Sequence, residues 1–205
     1  MADYVSIANL AASKLGEDDQ LRSPEDDTHL GRTVAAVWDL VRQAALRDHS
    51  WNFAMKRAAL PKSAAAAPFP WRSSFPLPAD NLRLVEVLDL QARSAYQIEG
   101  RAILCNSDGP VHIRYITDVA EPALWDQLFV EAFACRLAFQ ISDRITGDSN
   151  RKQAAWAEYQ AALAQAKRVD ARENPQVAWE AGSWETARLG VDECRVSPGT
   201  GTIWP

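Results

Sequence analysis

The chain has 205 residues, 47% hydrophobic and 24% charged, with a net charge of −5. These values describe an ordinary soluble globular chain of one domain, or one domain with an appendage. The acidic balance argues against a broad basic face that grips nucleic acid, although an acidic surface can still wall a passage that DNA must not stick to.

The opening segment MADYVSIANL lacks a basic stretch followed by an apolar one, so no signal peptide is expected. In DYVSIANLAASKLG, Tyr4, Ala8, Ala11 and Leu15 recur at steps of four and three and Gly16 follows, which predicts a short amphipathic helix. The acidic run EDDQLRSPEDD comes next. Within it Ser23 is placed to cap, Pro24 fits a first helical position and Asp26 can reach back, so a helix is expected to start there. Its stripe is Leu30, Val34, Val37, Val41 and Ala44, widened by Trp38 and Leu46, with Arg32, Arg42 and Arg47 largely off it.

HSWNFAMKR (49–57) marks a change of period. The helix is expected to end near Asp48 or Trp51, with alternation from Phe53. Trp51 and Phe53 are the expected seam between helices and strands, and Asn52 suits a helix exit. Up to Val119, four or five short antiparallel strands are predicted. They include the region from Leu82 to Leu90, a hairpin turning at Glu99-Gly100, and a strand with Val111, Ile113 and Tyr115 on one face and His112, Arg114 and Ile116 on the other. The stretch PKSAAAAPFPWRSSFPLPADN reads as a long loop.

Pro122 is expected to open a long helix through Leu124, Leu128, Ala132, Cys135 and Phe139, ended by Gly147. A second, from about Asp148 to Ala171, carries Trp156, Tyr159, Leu163 and Ala166, and the two are expected to form an antiparallel hairpin. The apolar stretch Ala123 to Ile141 is interrupted by Asp126, Glu131 and Arg136, so no membrane span is expected. The fold class predicted is α+β, mainly α: a helical bundle with a small antiparallel β insertion and an extended C-terminal arm. The boundaries are 1–52 and 120–173 for the bundle, 53–119 for the insertion and 174–205 for the arm.

Tests for chemistry return no catalytic set. His29, His49 and His112 lack a second ligand at metal spacing, and the acids Glu17, Asp18, Asp19, Glu25, Asp26 and Asp27 lack a calcium loop's Gly and bidentate Glu. No nucleotide, hydrolase or zinc-protease motif is present. No metal, cofactor or catalytic residue is therefore expected. Cys105, Cys135 and Cys194 are an odd number without CxxC spacing, which points to reduced thiols in a cytosolic setting. Lys56, Arg57, Lys62, Phe69, Trp71 and Arg72 form a small basic and aromatic group, better read as gatekeeping charges on an edge strand with a solvated loop. Trp179, Trp184 and Trp204 have little around them in sequence to bury them. They either fold back on the core or anchor on another subunit.

Several blocks resemble the tail tubular protein A, or head-to-tail adaptor, family of short-tailed double-stranded DNA bacteriophages. They are IANLAASKLG, THLGRTVAAVWDLVRQAALRDHSWNFAMKRAAL, FPLPADNLRLVEV, YQIEGRAIL and IRYITDVAEPALWDQLFVEAFACRLAFQI, in family order over roughly residues 4–170. The W-N-F-A and F-x-L-P-x-D-x-L-R blocks are the specific parts. The resemblance implies a structural virion protein of the tail or neck, present in host cytoplasm during assembly. Such adaptors form a homo-oligomeric ring, usually of twelve copies, beneath the portal protein. The ring extends the channel through which genomic DNA passes without sequence-specific binding, and it docks the tail nozzle, a tail tubular protein B-like partner. It implies a helical bundle with a β-rich insertion, no catalytic residues and no membrane. By analogy, the 174–205 arm carrying Trp179, Trp184 and Trp204 contacts portal or a neighbouring subunit. The competing class is a tail-associated hydrolase of cell-wall or capsule polymer, with Glu86 and Asp89 or Asp126 and Glu131 as carboxylate pairs.

Overall fold

The computed structural model describes residues 2–88 and 96–174. The fold is α+β and mainly α, with four α-helices and two small antiparallel sheets among the described residues. Met1–Glu173 form one compact unit. The expected arm, 174–205, lies outside the described residues except for its first.

Helix α1 (Tyr4–Lys14) starts on Asp3, whose carboxylate accepts from the Ser6 amide at 2.7 Å while the Ser6 hydroxyl accepts from the Asp3 amide at 3.0 Å. Gly16 follows it at φ 69°, and the buried face is Ile7, Ala8, Ala11 and Ala12. Asn9 then clamps the acidic run. Its side chain donates to the Leu21 carbonyl at 2.9 Å and accepts from the Leu21 amide at 2.8 Å, which holds Leu21 in the core.

Helix α2 (His29–Arg47) begins five residues later than Pro24, the position expected from Ser23-Pro24-Glu25-Asp26. The capping contacts foreseen there do form, since Asp26 accepts from the Ser23 amide and Ser23 from the Glu25 amide, but they close a lone turn. The helix is capped instead by Thr28, which accepts from Gly31 at 3.0 Å. The turn folds back over the helix so closely that a Cβ on Gly31 would sit 2.2 Å from the Asp26 carbonyl oxygen, so only glycine fits.

A second correction concerns Arg42. It is not off the stripe but 7% exposed. Its Nε and Nη2 grip both oxygens of Asp118 at 3.1 and 3.0 Å, and its Nη1 lies 2.8 Å from Asp39. A bidentate pair satisfies a half-hidden guanidinium well enough to bury it.

Trp51 and a 3-10 turn at Asn52–Ala54 lead into strand β1 (Met55–Leu60). The strands that follow are β2 (Ser73–Pro76), β3 (Asn81–Val87), β4 (Tyr96–Glu99), β5 (Ala102–Cys105) and β6 (Val111–Thr117). One sheet has the order β1-β6-β3 and the other β2-β5-β4. The six strands among the described residues exceed the four or five expected. The addition is β2, which the sequence reading absorbed into the Pro/Ala/Ser loop. Four residues between prolines carry no visible period, yet Phe75 is fully buried against β5 at a sheet edge, where Pro76 is tolerated. The hairpin turns at Gly100-Arg101, one residue later than expected. Both have positive φ, 51° and 64°, as a primed two-residue turn requires.

Phe75, Ile103, Cys105, Val111, Ile113 and Tyr115 fill a small core shared by the two sheets. On β6, Val111, Ile113 and Tyr115 face it as expected, whereas Ile116 points the other way into the helical core. Strand β6 therefore belongs to both cores.

Pro122–Leu124 form a separate 3-10 turn and not the start of the long helix, and Leu124 is largely exposed. Helix α3 (Gln127–Ile145) starts on Asp126, which accepts from Leu128 and Phe129. Trp125 breaks the run because its ring turns into the core, with the indole N–H donating to the Val119 carbonyl at 2.9 Å. Gly147, at φ 62°, reverses the chain into helix α4 (Ser149–Glu173), which packs back along α3. The buried positions of α4 are Ala155, Tyr159, Ala166 and Asp170. Trp156 is displaced from that stripe: it is 44% exposed and leans on Phe139 at 4.8 Å.

Arg42→Ala strands the Asp118 carboxylate against the helix and should cost about 3 kcal/mol in urea denaturation. Removing the exposed partner of Asp27 with Arg32→Ala should cost under about 1 kcal/mol. Equal losses would show that Arg42 is not a buried anchor.

Candidate functional site

The two most specific blocks of the sequence meet in space. Trp51 is 1% exposed and its indole donates to the Ala45 carbonyl at 3.1 Å. Its ring meets Phe129 edge-on at 5.0 Å and lies 6.2 Å from Phe53, which itself sits 5.0 Å from Phe129. Both expected seam residues thus pack on α3. From the other block, Arg83 donates to Ser50 at 2.7 Å and Asp80 pairs with Lys56 at 3.0 Å.

Asp80 is the polar centre on the strand side. It accepts from Thr117 at 2.7 Å and from Tyr115 at 3.2 Å. The Thr117 hydrogen bond, with help from Lys56 and against partial burial, holds its carboxyl below the usual range.

Asp170 is the polar centre on the helix side, and it was missed in the sequence. It continues the four-three stripe Tyr159, Leu163, Ala166, and a carboxylate on such a stripe is itself a signal. Its Oδ1 accepts from the Asn52 amide at 2.9 Å and its Oδ2 lies 3.1 Å from His49 Nε2. The Asn52 side chain donates to the Asp170 carbonyl at 2.8 Å. Asn52 therefore ties the 3-10 turn that follows α2 to the last turn of α4; it does not end α2, which stops at Arg47 with Asp48 as its cap. About three turns back along α4, Tyr159 donates to Asp48 at 2.8 Å and receives a hydrogen bond from Arg136, which also pairs with Asp48. Burial, then the bond to Asp48, push the Tyr159 phenol up to about 12 against the opposing Arg136.

The other candidate residues have ordinary places. Lys62 pairs with Asp108 at 2.8 Å, and β1, which carries Lys56 and Arg57, is an edge strand, while Phe69 is almost wholly exposed. Glu86 pairs with Arg114, Asp126 is a helix cap and Glu131 is exposed; Asp89 lies outside the described residues. His29 lies in the first turn of α2 and His112 on the exposed side of β6. No group of His, Cys, Asp or Glu among the described residues is placed to hold a metal ion. Cys135 is buried in α3, and burial pushes its thiol up against the opposing Lys14, the reverse of an activated nucleophile. No helix among the described residues is long and apolar enough to cross a membrane. Trp179, Trp184, Trp204 and Cys194 lie outside the described residues.

One open cleft stands apart from these spent contacts. It measures about 650 Å³ and runs between α2 and the start of β3, with Leu40, Leu77, Leu82, Leu84 and Ile98 as its apolar lining. Arg47, Arg83 and Arg101 also line it, and among the described residues no carboxylate does. No family model matches the chain, and no curated protein is significantly similar to it.

Asp170→Ala leaves the Asn52 amide without its partner and should cost about 2 kcal/mol in chemical denaturation. Asp170→Asn keeps an acceptor oxygen and should cost less than half as much. A neutral Asp170→Ala would remove Asp170 from the joint.

Proposed function

We propose that the chain is a structural head-to-tail adaptor, a ring subunit that sits below a phage portal, continues its DNA channel and docks the tail nozzle. The observation that carries this reading is what the two signature blocks do. Trp51 and Phe53 pack on α3, Asn52 bonds to α4, and Asp80 and Arg83 of the second block bond to Lys56 and Ser50 beside them. Residues spent on a joint, with no catalytic set beside them among the described residues, support a role carried by the subunit's shape. The helical bundle with a small β element is also the architecture that the resemblance implies.

Electrostatics support the same role. A net charge of −5 keeps DNA moving past a wall without counterion-release binding to it. A ring needs a heterologous interface, one face of a subunit meeting a different face of the next. Twelve copies, virion location and the nozzle partner are part of the proposal and rest on the resemblance.

Mixing the purified chain with the portal of the same phage should give, by native mass spectrometry, a complex containing about one chain per portal subunit. A gel shift at physiological salt should show no tight complex with double-stranded DNA. A nanomolar DNA complex, or glycan cleavage abolished by Glu→Gln changes, would overturn the adaptor reading.

A further inference from the structure

The cleft between α2 and β3 has a chemistry that the chain's own described residues leave unanswered. Arg47, Arg83 and Arg101 have no carboxylate within ion-pair distance among the described residues, although the chain as a whole is acidic. Their partners are neutral oxygens. Arg47 donates to the Leu82 carbonyl, Arg83 to the Ser50 hydroxyl, and Arg101 to the Pro78 and Ala79 carbonyls at 3.1 Å each. Each guanidinium has five N–H donors, more than these carbonyl and hydroxyl partners take up, and three cations held only by neutral oxygens favour an anionic acceptor.

The cleft also exposes apolar surface. Leu40 is 68% exposed on α2 and Ile98 is 49% exposed across from it. Guanidinium groups beside leucines suit a peptide that brings carboxylates and large apolar side chains together. A nucleic acid would supply the anions but would meet a net negative protein, and it gains little from an aliphatic floor.

We propose that this cleft is the acceptor half of a head-to-tail contact, and that its occupant is the segment 175–187 of a second copy of this chain. That segment, PQVAWEAGSWETA, holds Trp179-Glu180 and Trp184-Glu185 and neither Lys nor Arg. It repeats the pairing that the cleft calls for: an aromatic anchor next to a carboxylate, five residues apart. Because a cleft and a chain segment are different surfaces, the contact is heterologous, which is what closing a ring requires. The inference rests on the adaptor reading for its choice of a second copy, and on the three lining arginines without a carboxylate among the described residues for its choice of surface.

The test is a photocross-linking benzoyl-phenylalanine in place of Leu40 in the full chain, mixed as isotope-labelled and unlabelled copies with portal present. The expected result is a cross-linked dimer of mixed isotope whose second peptide falls in 175–187. Trp184→Ala should cut its yield by roughly tenfold, since a buried aromatic anchor carries much of such a contact. Arg101→Glu should do the same, and circular dichroism will show whether that variant keeps its fold. Cross-links within one copy, or to another surface of the second copy, or no cross-link at all, would each overturn the proposal. Portal recruitment is read from the same mixture, so a failed cleft with intact recruitment leaves the adaptor reading standing, and lost recruitment sinks that reading itself.

Discussion

Everything in this fold hangs on a joint where α2 stops, the strands begin and α4 ends. A helix exit normally leaves backbone groups exposed. Here Asn52 gives both its amide and its side chain to Asp170, while His49 holds the other carboxylate oxygen. Trp51 closes the apolar side against Phe129. The joint therefore fixes three elements with one short stretch of chain. Buried polar contacts of this kind add modest net stability but are costly to break, so they specify one arrangement over its neighbours.

Strand β6 carries that specification outward. Its alternation sends Tyr115 into the sheet core and Ile116 into the helical core, and Asp118 just beyond it is gripped by Arg42 from α2. Asp80 then ties Thr117 and Tyr115 to Lys56 on β1. Helices and strands thus share β6, while the two sheets also enclose a small core of their own around Phe75, Ile103 and Ile113.

Much of this was legible in the residues. The stripes of α1 and α2, the dyad of β6, the helical hairpin and the change of period at 49–57 follow from spacing alone. Three features were not. Arg42 lies on the buried face because Asp118, 76 residues away, is there to meet it, and no local pattern carries that information. The helix start moved to Thr28 because a tertiary clamp from Asn9 places Leu21 and bends the acidic run. Strand β2 was hidden by its prolines and short length. At the candidate surfaces, residues that bond locally were easier to see than the arginines of the α2–β3 cleft, which come from three separate elements.

Native-state hydrogen exchange under increasing denaturant tests the joint most directly. If the joint and β6 make one cooperative body, the protected amides of β6 and of α3 should merge into a single opening with the same free energy and denaturant dependence. If the β1-β6-β3 amides instead open well below those of α3, the strands fold as an independent unit. The signature blocks would then not be the joint on which the structure depends.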